Sequence, residues 1–286
     1  MATASTPAPR RKGAQSVLTV EDGWWLSPRL RRIVAGGPGY ATIAGNDFTD
    51  AYTKLYFAHP GTGLTPPYDF FELRRTLPAE QLPSMRTYTI RRFDPTSGQL
   101  TIDFVVHGDE GIAGPWAAAA EKGDTLVLAG IGGGYTPDPA ADWHLLAGDD
   151  AAIPAIASAL EAMPPDARGV AVIEVDGDDD HLALAAPPGI GVEWLHRNGA
   201  HAGTTTLLHD AVREITWHSG HVQVFAHGER GAMKSLRPYL MTERGLDRSH
   251  LSLSAYWAYG RAEDAFQAEK REPIGQIFDQ TGDAGR

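Results

Sequence analysis

Hydrophobic and polar residues follow two patterns along this chain. In the first half, six short runs rich in β-branched and aromatic residues occupy positions 17–20, 30–34, 52–57, 86–91, 100–106 and 125–128. Segments of Gly, Pro and Asp separate them, which predicts strands joined by turns. Six such strands in about 115 residues predict a small antiparallel barrel. One helix interrupts them: Pro115 suits a first turn, and Trp116 is followed by four alanines.

After Pro137 and Pro139 the period changes. Strands are expected at 144–147, 169–175, 222–226 and 251–256, and a helix at 153–163. Further helices are marked by Leu207, Leu208, Ala211, Val212 and Ile215 on one face, and by Met233, Leu236 and Leu240. Strands alternating with helices imply a parallel sheet covered on both sides. The expected organisation is a tail over 1–15, a six-stranded antiparallel β-barrel domain over 16–138 and an α/β domain over 139–260. A C-terminal segment over 261–286 would hold one helix, at 262–271.

Composition narrows the chemistry. The 286 residues are 42% hydrophobic and 21% charged, enough for two domains with real cores. There is no cysteine, which rules out disulfides, thiolate zinc, a cysteine nucleophile and cysteine-ligated iron–sulfur clusters. An electron carrier of this composition needs a non-covalent organic cofactor or a haem. The net charge of −11 argues against nucleic-acid binding. No apolar run is long enough to span a bilayer, and the N-terminus lacks the apolar core of a secretory signal, so a cytoplasmic protein is expected.

The most informative segment is Arg86-Thr87-Tyr88-Thr89. A flavin needs an aromatic wall, a small hydroxyl near N5 and cationic or backbone donors for its diphosphate. Strand alternation places Arg86 and Tyr88 on one face and Thr87 and Thr89 on the other. An ordinary barrel strand would read the same way. Downstream, His107-Gly108 and the glycine-rich turn Gly111 to Gly114 lead into Pro115-Trp116. A helix opening there would aim free N–H groups at an anion. His107 and Trp116 are candidates to flank a flavin or adenine plane, or to serve as structural and core residues.

These residues, with Asp103-Phe104-Val105-Val106-His107-Gly108, Gly148-Asp149-Asp150, Ala152-Ile153-Pro154-Ala155, Glu243-Arg244-Gly245-Leu246, Tyr256-Trp257, Gly260-Arg261, Glu263-Asp264 and 267–271, resemble the siderophore-interacting protein family over roughly 16–271. The resemblance implies a ferredoxin-reductase-like fold and an FAD-dependent reductase. It would carry electrons from NADH or NADPH through FAD to siderophore-bound iron(III), hydroxamates being among the candidate chelates. It further implies Arg86, Thr87, Tyr88 and Thr89 as flavin contacts, with Thr89 near N5. The stretch with His107, Gly114 and Trp116 would serve the diphosphate and adenine. Glu229 would stand at the flavin–nicotinamide junction, and Lys54, Arg261 and Lys270 in a siderophore pocket. Two positions depart from the family pattern. The turn 130–135 is Gly-Ile-Gly-Gly-Gly-Tyr, and Ala258-Tyr259 follows Tyr256-Trp257, where basic residues would be expected.

No Gly-x-Gly-x-x-Gly fingerprint marks the second domain. Asp149 and Asp150 follow a strand and open a helix, where they would cap it or border a phosphate. Glu174 and Asp176 close the next strand, where a carboxylate would accept a ribose 2′-OH and repel a 2′-phosphate. NADH is therefore expected over NADPH, although a solvated acidic loop through Asp180 fits as well. Glu229 is equally a helix cap. Histidines 59, 181, 196, 201, 209, 218 and 221 show no metal-ligand spacing, so no metal is expected. A general flavin reductase or electron-transfer component, and a non-catalytic siderophore binder, remain as alternatives.

Overall fold

The computed structural model describes residues 14–109 and 111–278. The expected tail falls outside these apart from its last two residues, and Gln15 already opens a strand. The first half contains β1 (Gln15–Ser27), β2 (Leu30–Gly36), β3 (Tyr52–Phe57), α1 (Phe70–Thr76), β4 (Ser84–Thr89), β5 (Arg92–Asp94), β6 (Gln99–Val105), α2 (Ala113–Ala119) and β7 (Thr125–Gly132). Its seven strands lie in the order β4-β3-β7-β1-β2-β6-β5, every neighbouring pair antiparallel.

The two ends of this ladder, β4 and β5, are separated in the chain only by Ile90 and Arg91. Ile90 N donates to Ala51 O beside β3, and Arg91 N donates to Thr101 O on β6. The sheet must therefore roll until its ends approach, which gives a barrel-like fold. Leu18, Ile33, Leu55, Leu100, Ile102, Phe104, Leu126 and Leu128 fill the interior, and Ala113 and Ala117 of α2 pack against them. The structure adds one strand to the expected six. β5 has three residues, too few to show alternation. The first turn of α2 holds Pro115 as its third residue, two later than expected, where the missing N–H still has no helical partner to lose.

The second half contains β8 (Trp143–Asp149), α3 (Ile153–Ala162), β9 (Arg168–Val175), β10 (Gly189–His196), α4 (Leu207–Glu214), β11 (Val222–Glu229), α5 (Arg230–Pro238), β12 (Leu251–Trp257) and α6 (Glu263–Glu269). Its sheet runs β10-β9-β8-β11-β12, all parallel. β8 is buried along its whole length, as a strand covered on both faces should be. α3 packs on one side and α4 and α5 on the other. β9 begins against β8 so closely that a Cβ on Gly169 would lie 1.9 Å from His144 O. β10 was not expected. As an edge strand it buries only alternate residues around Ile190, Val192 and Trp194, a weaker signal than a continuous apolar run.

The strand order reverses between β8 and β11. In open parallel sheets, ligands bind where such a reversal opens a crevice at the carboxyl ends of the strands. Those ends are Asp149 and Glu229. They face the barrel because the two halves are clamped together. Arg91 forms an ion pair with Glu161 on α3 and receives a hydrogen bond from Ser158 at its carbonyl. Arg29, in the β1–β2 turn, pairs with Asp176 at 2.6 Å, and Ser27 donates to Asp180 at 3.0 Å. Among the described residues, no helix is long and apolar enough to cross a membrane.

Candidate functional site

A cleft of about 840 Å³ opens between the two sheets. That is at the upper end of the roughly 300–1,000 Å³ usual for small-molecule sites. The barrel contributes Tyr52, Lys54, Asp103, Val105, His107 and all four residues from Arg86 to Thr89. Both faces of that strand reach the cleft because β4 ends the ladder and no further strand covers its outer edge. Tyr88 rests on Phe104, ring centroids 4.5 Å apart, and burial raises its phenol well above the ordinary value. Arg86 reaches Asp264 on α6 at 3.5 Å.

The opposite wall comes from the carboxyl ends of the parallel strands: Asp149, Asp150, Asp176, Arg197 and residues 254–257. Tyr256 meets the barrel here. Its phenol has Thr89 as hydrogen-bonding neighbour, and its ring lies edge-on to His227 at 4.9 Å. The third side is α6, with Glu263 and Gln267, and Lys270 at its C-terminal cap. Loss of hydration and the like charge of Lys54 hold the Lys270 ammonium below the usual lysine range, with Glu263 opposing, although part of the side chain reaches solvent.

Asp149 anchors the floor. Its Oδ2 accepts from Glu229 N and from the Trp257 indole N–H, both at 2.8 Å, and its Oδ1 accepts from Ala151 N at 3.0 Å. One carboxyl group thereby ties together the ends of β8, β11 and β12. Burial pushes its pKa up to about 7. The neighbouring charge of Asp150 adds to the rise, and the three N–H donors oppose it. Asp150 is paired with Arg197 at 2.7 Å, and Arg197 also lies 3.7 Å from Glu174.

Arg86, Thr87, Tyr88, Thr89, His107, Asp149, Lys54 and Lys270 thus share the cleft. The other expected site residues do not line it. Glu174 turns toward Arg197 and accepts a hydrogen bond from Thr205 at 3.0 Å, so of the two acids at the end of β9 it is Asp176 that lines the cleft. Glu229 caps α5: Oε2 accepts from Gly231 N and Ala232 N, and Oε1 from Tyr259 N at 3.1 Å, leaving the carboxylate occupied by backbone. Trp116 packs into the barrel against Phe57 and Phe104, at 5.3 and 5.6 Å. A Cβ on Gly114 would stand 3.3 Å from Val105 O, so this glycine serves helix–strand packing. Arg261 points away and pairs with Glu269 at 2.7 Å.

Sequence reading missed Arg29, Tyr52, Arg197 and Gln267 as cleft residues. Tyr256 lies there too, and the aromatic pair Tyr256-Trp257 ending the last parallel strand is a usable signal for it. Spacing along the chain marks no metal-ligand set, yet the fold brings His181 and His196 together with Asp178, outside the cleft. Part of each departure from basic residues has a steric reason, at Gly132, Gly133 and Ala258, while Gly134 is open and Tyr259 is exposed. A Cβ on Gly132 would lie 2.3 Å from the Tyr52 ring, and one on Gly133 2.6 Å from Phe48 Cβ. Ala258 is buried against Phe266.

The cleft suits a flavin dinucleotide. It offers an aromatic wall at Tyr88, a small hydroxyl at Thr89 and cations at Arg86, Lys54 and Lys270. Comparison with known proteins points the same way. A family model described as "Siderophore-interacting FAD-binding domain" matches residues 19–135, and one described as "Siderophore-interacting protein" matches 141–260. An uncharacterized protein of Mycobacterium tuberculosis is 46% identical over 258 residues, covering 86% of this chain and 91% of that protein. Ferric vibriobactin reductase ViuB of Vibrio cholerae is 32% identical over 259 residues, covering 89% and 93%. The crystal structure of a siderophore utilization protein from T. fusca superposes with a TM-score of 0.76 at 37% identity, covering 87% of this chain and 94% of that one. A ferredoxin reductase of carbazole 1,9a-dioxygenase, at 12% identity and TM-score 0.60, shares the fold.

The raised pKa of Asp149 has a measurable consequence. The folded chain favours its protonated form, so its stabilising contribution is full below the ordinary value of 3.8 and is lost as the pH rises through about 7. Relative to Asp149→Asn, the wild-type protein should lose stability between about pH 5 and about pH 8, read by urea unfolding at both. An equal difference at the two pH values would show that Asp149 ionises normally.

Proposed function

Because this chain belongs to the siderophore-interacting protein family, we propose that it is a ferric-siderophore reductase, an FAD-dependent oxidoreductase drawing electrons from a nicotinamide cofactor. The observation that carries this reading is the cleft itself. It joins the Arg86–Thr89 strand, the carboxyl ends of a parallel sheet at its order reversal and two lysines from separate elements.

When bound, FAD supplies the coupling of a two-electron hydride donor to one-electron reduction of iron(III). The chain's own residues do the rest. Tyr88, held by Phe104, presents a ring face for stacking. Thr89, beside Tyr256, offers a hydroxyl where the barrel meets the parallel strands. Arg86 neutralises phosphate once released from its exposed partner Asp264. Asp149 fixes the ends of β8, β11 and β12, so the nicotinamide side of the cleft keeps its shape. Lys54 and Lys270 draw in the anionic ferric chelate. Hard oxygen donors hold iron(II) less well than iron(III), so reduction releases the metal.

Asp176 at the cleft supports NADH over NADPH, since its charge repels a 2′-phosphate. Arg29, bound to it at 2.6 Å, moderates that repulsion. We place the reaction in the cytoplasm, where reduced nicotinamide is supplied.

The test is reconstitution with FAD followed by anaerobic turnover with NADH or NADPH and a ferric hydroxamate. Expected are stoichiometric flavin binding, iron(II) production and a higher kcat/KM with NADH. Tyr88→Ala should weaken flavin binding by roughly 1–3 kcal/mol, the range for stacking on an aromatic ring. A folded protein that binds no FAD would overturn the reading. Efficient reduction of free flavins with none of ferric chelates would select a general flavin reductase, and tight chelate binding without turnover a binding protein.

Lys54→Ala tests the acceptor pocket. An ammonium about 4 Å from an anionic chelate gains about 1 kcal/mol in bulk water and about 4 kcal/mol at an effective dielectric near 20. The KM for ferric siderophore should therefore rise by a factor between roughly five and several hundred. Reduction of an uncharged one-electron acceptor should be nearly unchanged. A joint fall of both activities would assign Lys54 to the fold or the flavin instead.

A further inference from the structure

The loop that follows β9 carries a side-chain cluster that the cleft does not use. Asp178 and His181 lie three residues apart in a single 3-10 turn, and His196 ends the adjacent strand β10. None of the three lines the cleft. Their donor atoms form a triangle with sides of 2.6 Å between the two histidine Nε2 atoms, 3.4 Å from His196 Nε2 to Asp178 Oδ1 and 4.0 Å from His181 Nε2 to Asp178 Oδ1. The point equidistant from its corners lies about 2.0 Å from each, the length of a zinc–imidazole or zinc–carboxylate bond. We propose that Asp178, His181 and His196 form a binding site for a divalent first-row transition metal.

The chemistry of the donors sets the class of ion. Two imidazoles and one carboxylate suit Zn²⁺ and Fe²⁺, whereas Ca²⁺ and Mg²⁺ take oxygen ligands. The surrounding charge favours a cation, since Asp179 and Asp180 continue the turn. The ligands are also supported. The His181 ring is stacked on Trp194, centroids 4.9 Å apart and planes at 17°. On either side of the turn, Asp176 is held by Arg29 and Asp180 accepts from Ser27. The two rings meet at Nε2 within hydrogen-bonding distance of each other. A four-coordinate cation with bonds of about 2.0 Å needs its ligand atoms about 3.3 Å apart, so both rings have to draw away from their 2.6 Å separation and turn toward Asp178. Their partial exposure, 35% and 28% of the side chains, permits this, and Asp178 at 87% is free to close on the ion. Three protein ligands leave a fourth position open, the arrangement of a site that exchanges its ion or holds water.

Such a site fastens more than three side chains. The turn it closes is the one that bonds the barrel through Arg29 and Ser27, so a bound ion stiffens one of the two clamps between the halves. Two sources can supply the ion: a resident cation such as Zn²⁺, or the Fe²⁺ that the proposed reduction releases. Only the second assignment rests on the reductase reading.

The experiment is calorimetric titration of the untagged, FAD-loaded chain with Zn²⁺, repeated anaerobically with Fe²⁺. One Zn²⁺ per chain is expected. Loss of a hydrogen-bonded partner behind a ligand typically costs about 10–100-fold in metal affinity, so His181→Ala and His196→Ala, which remove ligands, should each weaken binding by at least about tenfold, with Asp178→Asn also weaker. Unchanged circular dichroism and flavin content in the variants separate ligand loss from unfolding. Fe²⁺ binding lost in the same variants assigns the site to the reaction's own product; Zn²⁺ binding with Fe²⁺ refused assigns it to a resident ion. Absence of saturable Zn²⁺ binding overturns the proposal, as does binding that survives the double substitution His181→Ala with His196→Ala.

Discussion

Two residues, Ile90 and Arg91, connect the opposite ends of a seven-stranded antiparallel ladder, and the arrangement of the molecule depends on that short connection. A link of this length cannot span an open sheet, because the three Cα–Cα steps from Thr89 to Arg92 reach only about 11 Å. The sheet has to curl. Curling leaves the last strand, β4, with a free edge at the mouth of the barrel, so Arg86, Thr87, Tyr88 and Thr89 all become reachable from outside. The same link projects Arg91 onto α3, where Glu161 and Ser158 receive it. Curling of the sheet, exposure of its binding strand and attachment of the second half of the chain are thus one geometric event.

The second wall of the cleft is governed by desolvation. Asp149, Asp150 and Glu174 lie close together with little water, an expensive arrangement for carboxylates. Burial raises the pKa of all three, and the compensation differs. Arg197 answers Asp150 and Glu174 by charge. Asp149 has only neutral N–H donors, from Ala151, Glu229 and Trp257. That difference explains why Asp149 is the carboxyl whose proton is held toward neutral pH, and why it is also the one that gathers the strand ends. Its environment favours fixed geometry over charge.

Much of this was legible in the chain. Continuous burial of β8 and clean periodicity in α3, β9 and β11 come from layers covered on both sides, which leave a strong apolar record. The elements that escaped leave weak records. β5 is three residues long, and β10 is an edge strand with one wet face. At the site, Arg86 to Thr89, Lys54 and Lys270 were readable because a local motif or a family position named them. Arg29 and Arg197 were not, since each acquires its place through a partner distant in sequence, Asp176 and Asp150. Glu174, Glu229 and Trp116 do not line the cleft: their side chains turn to Thr205 and Arg197, to the α5 backbone and to the barrel core. A strand pattern says which residues are near a ligand crevice, but backbone donors and core rings decide which way each side chain turns.

The glycines beneath Tyr52 and Phe48 bear on how acceptor selectivity can change over evolutionary time. A long basic side chain enters at 132 or 133 only where Tyr52 or Phe48 gives way, and both rings are exposed, whereas position 134 in the same turn is open. Of the cations at the cleft, Arg29 and Arg197 are held in ion pairs, whereas Lys54 on β3 and Lys270 just beyond α6 are long, jointed side chains on separate segments. Under the proposed reading those two ammonium groups reposition independently, which lets the acceptor side of the cleft follow ferric chelates of differing outline.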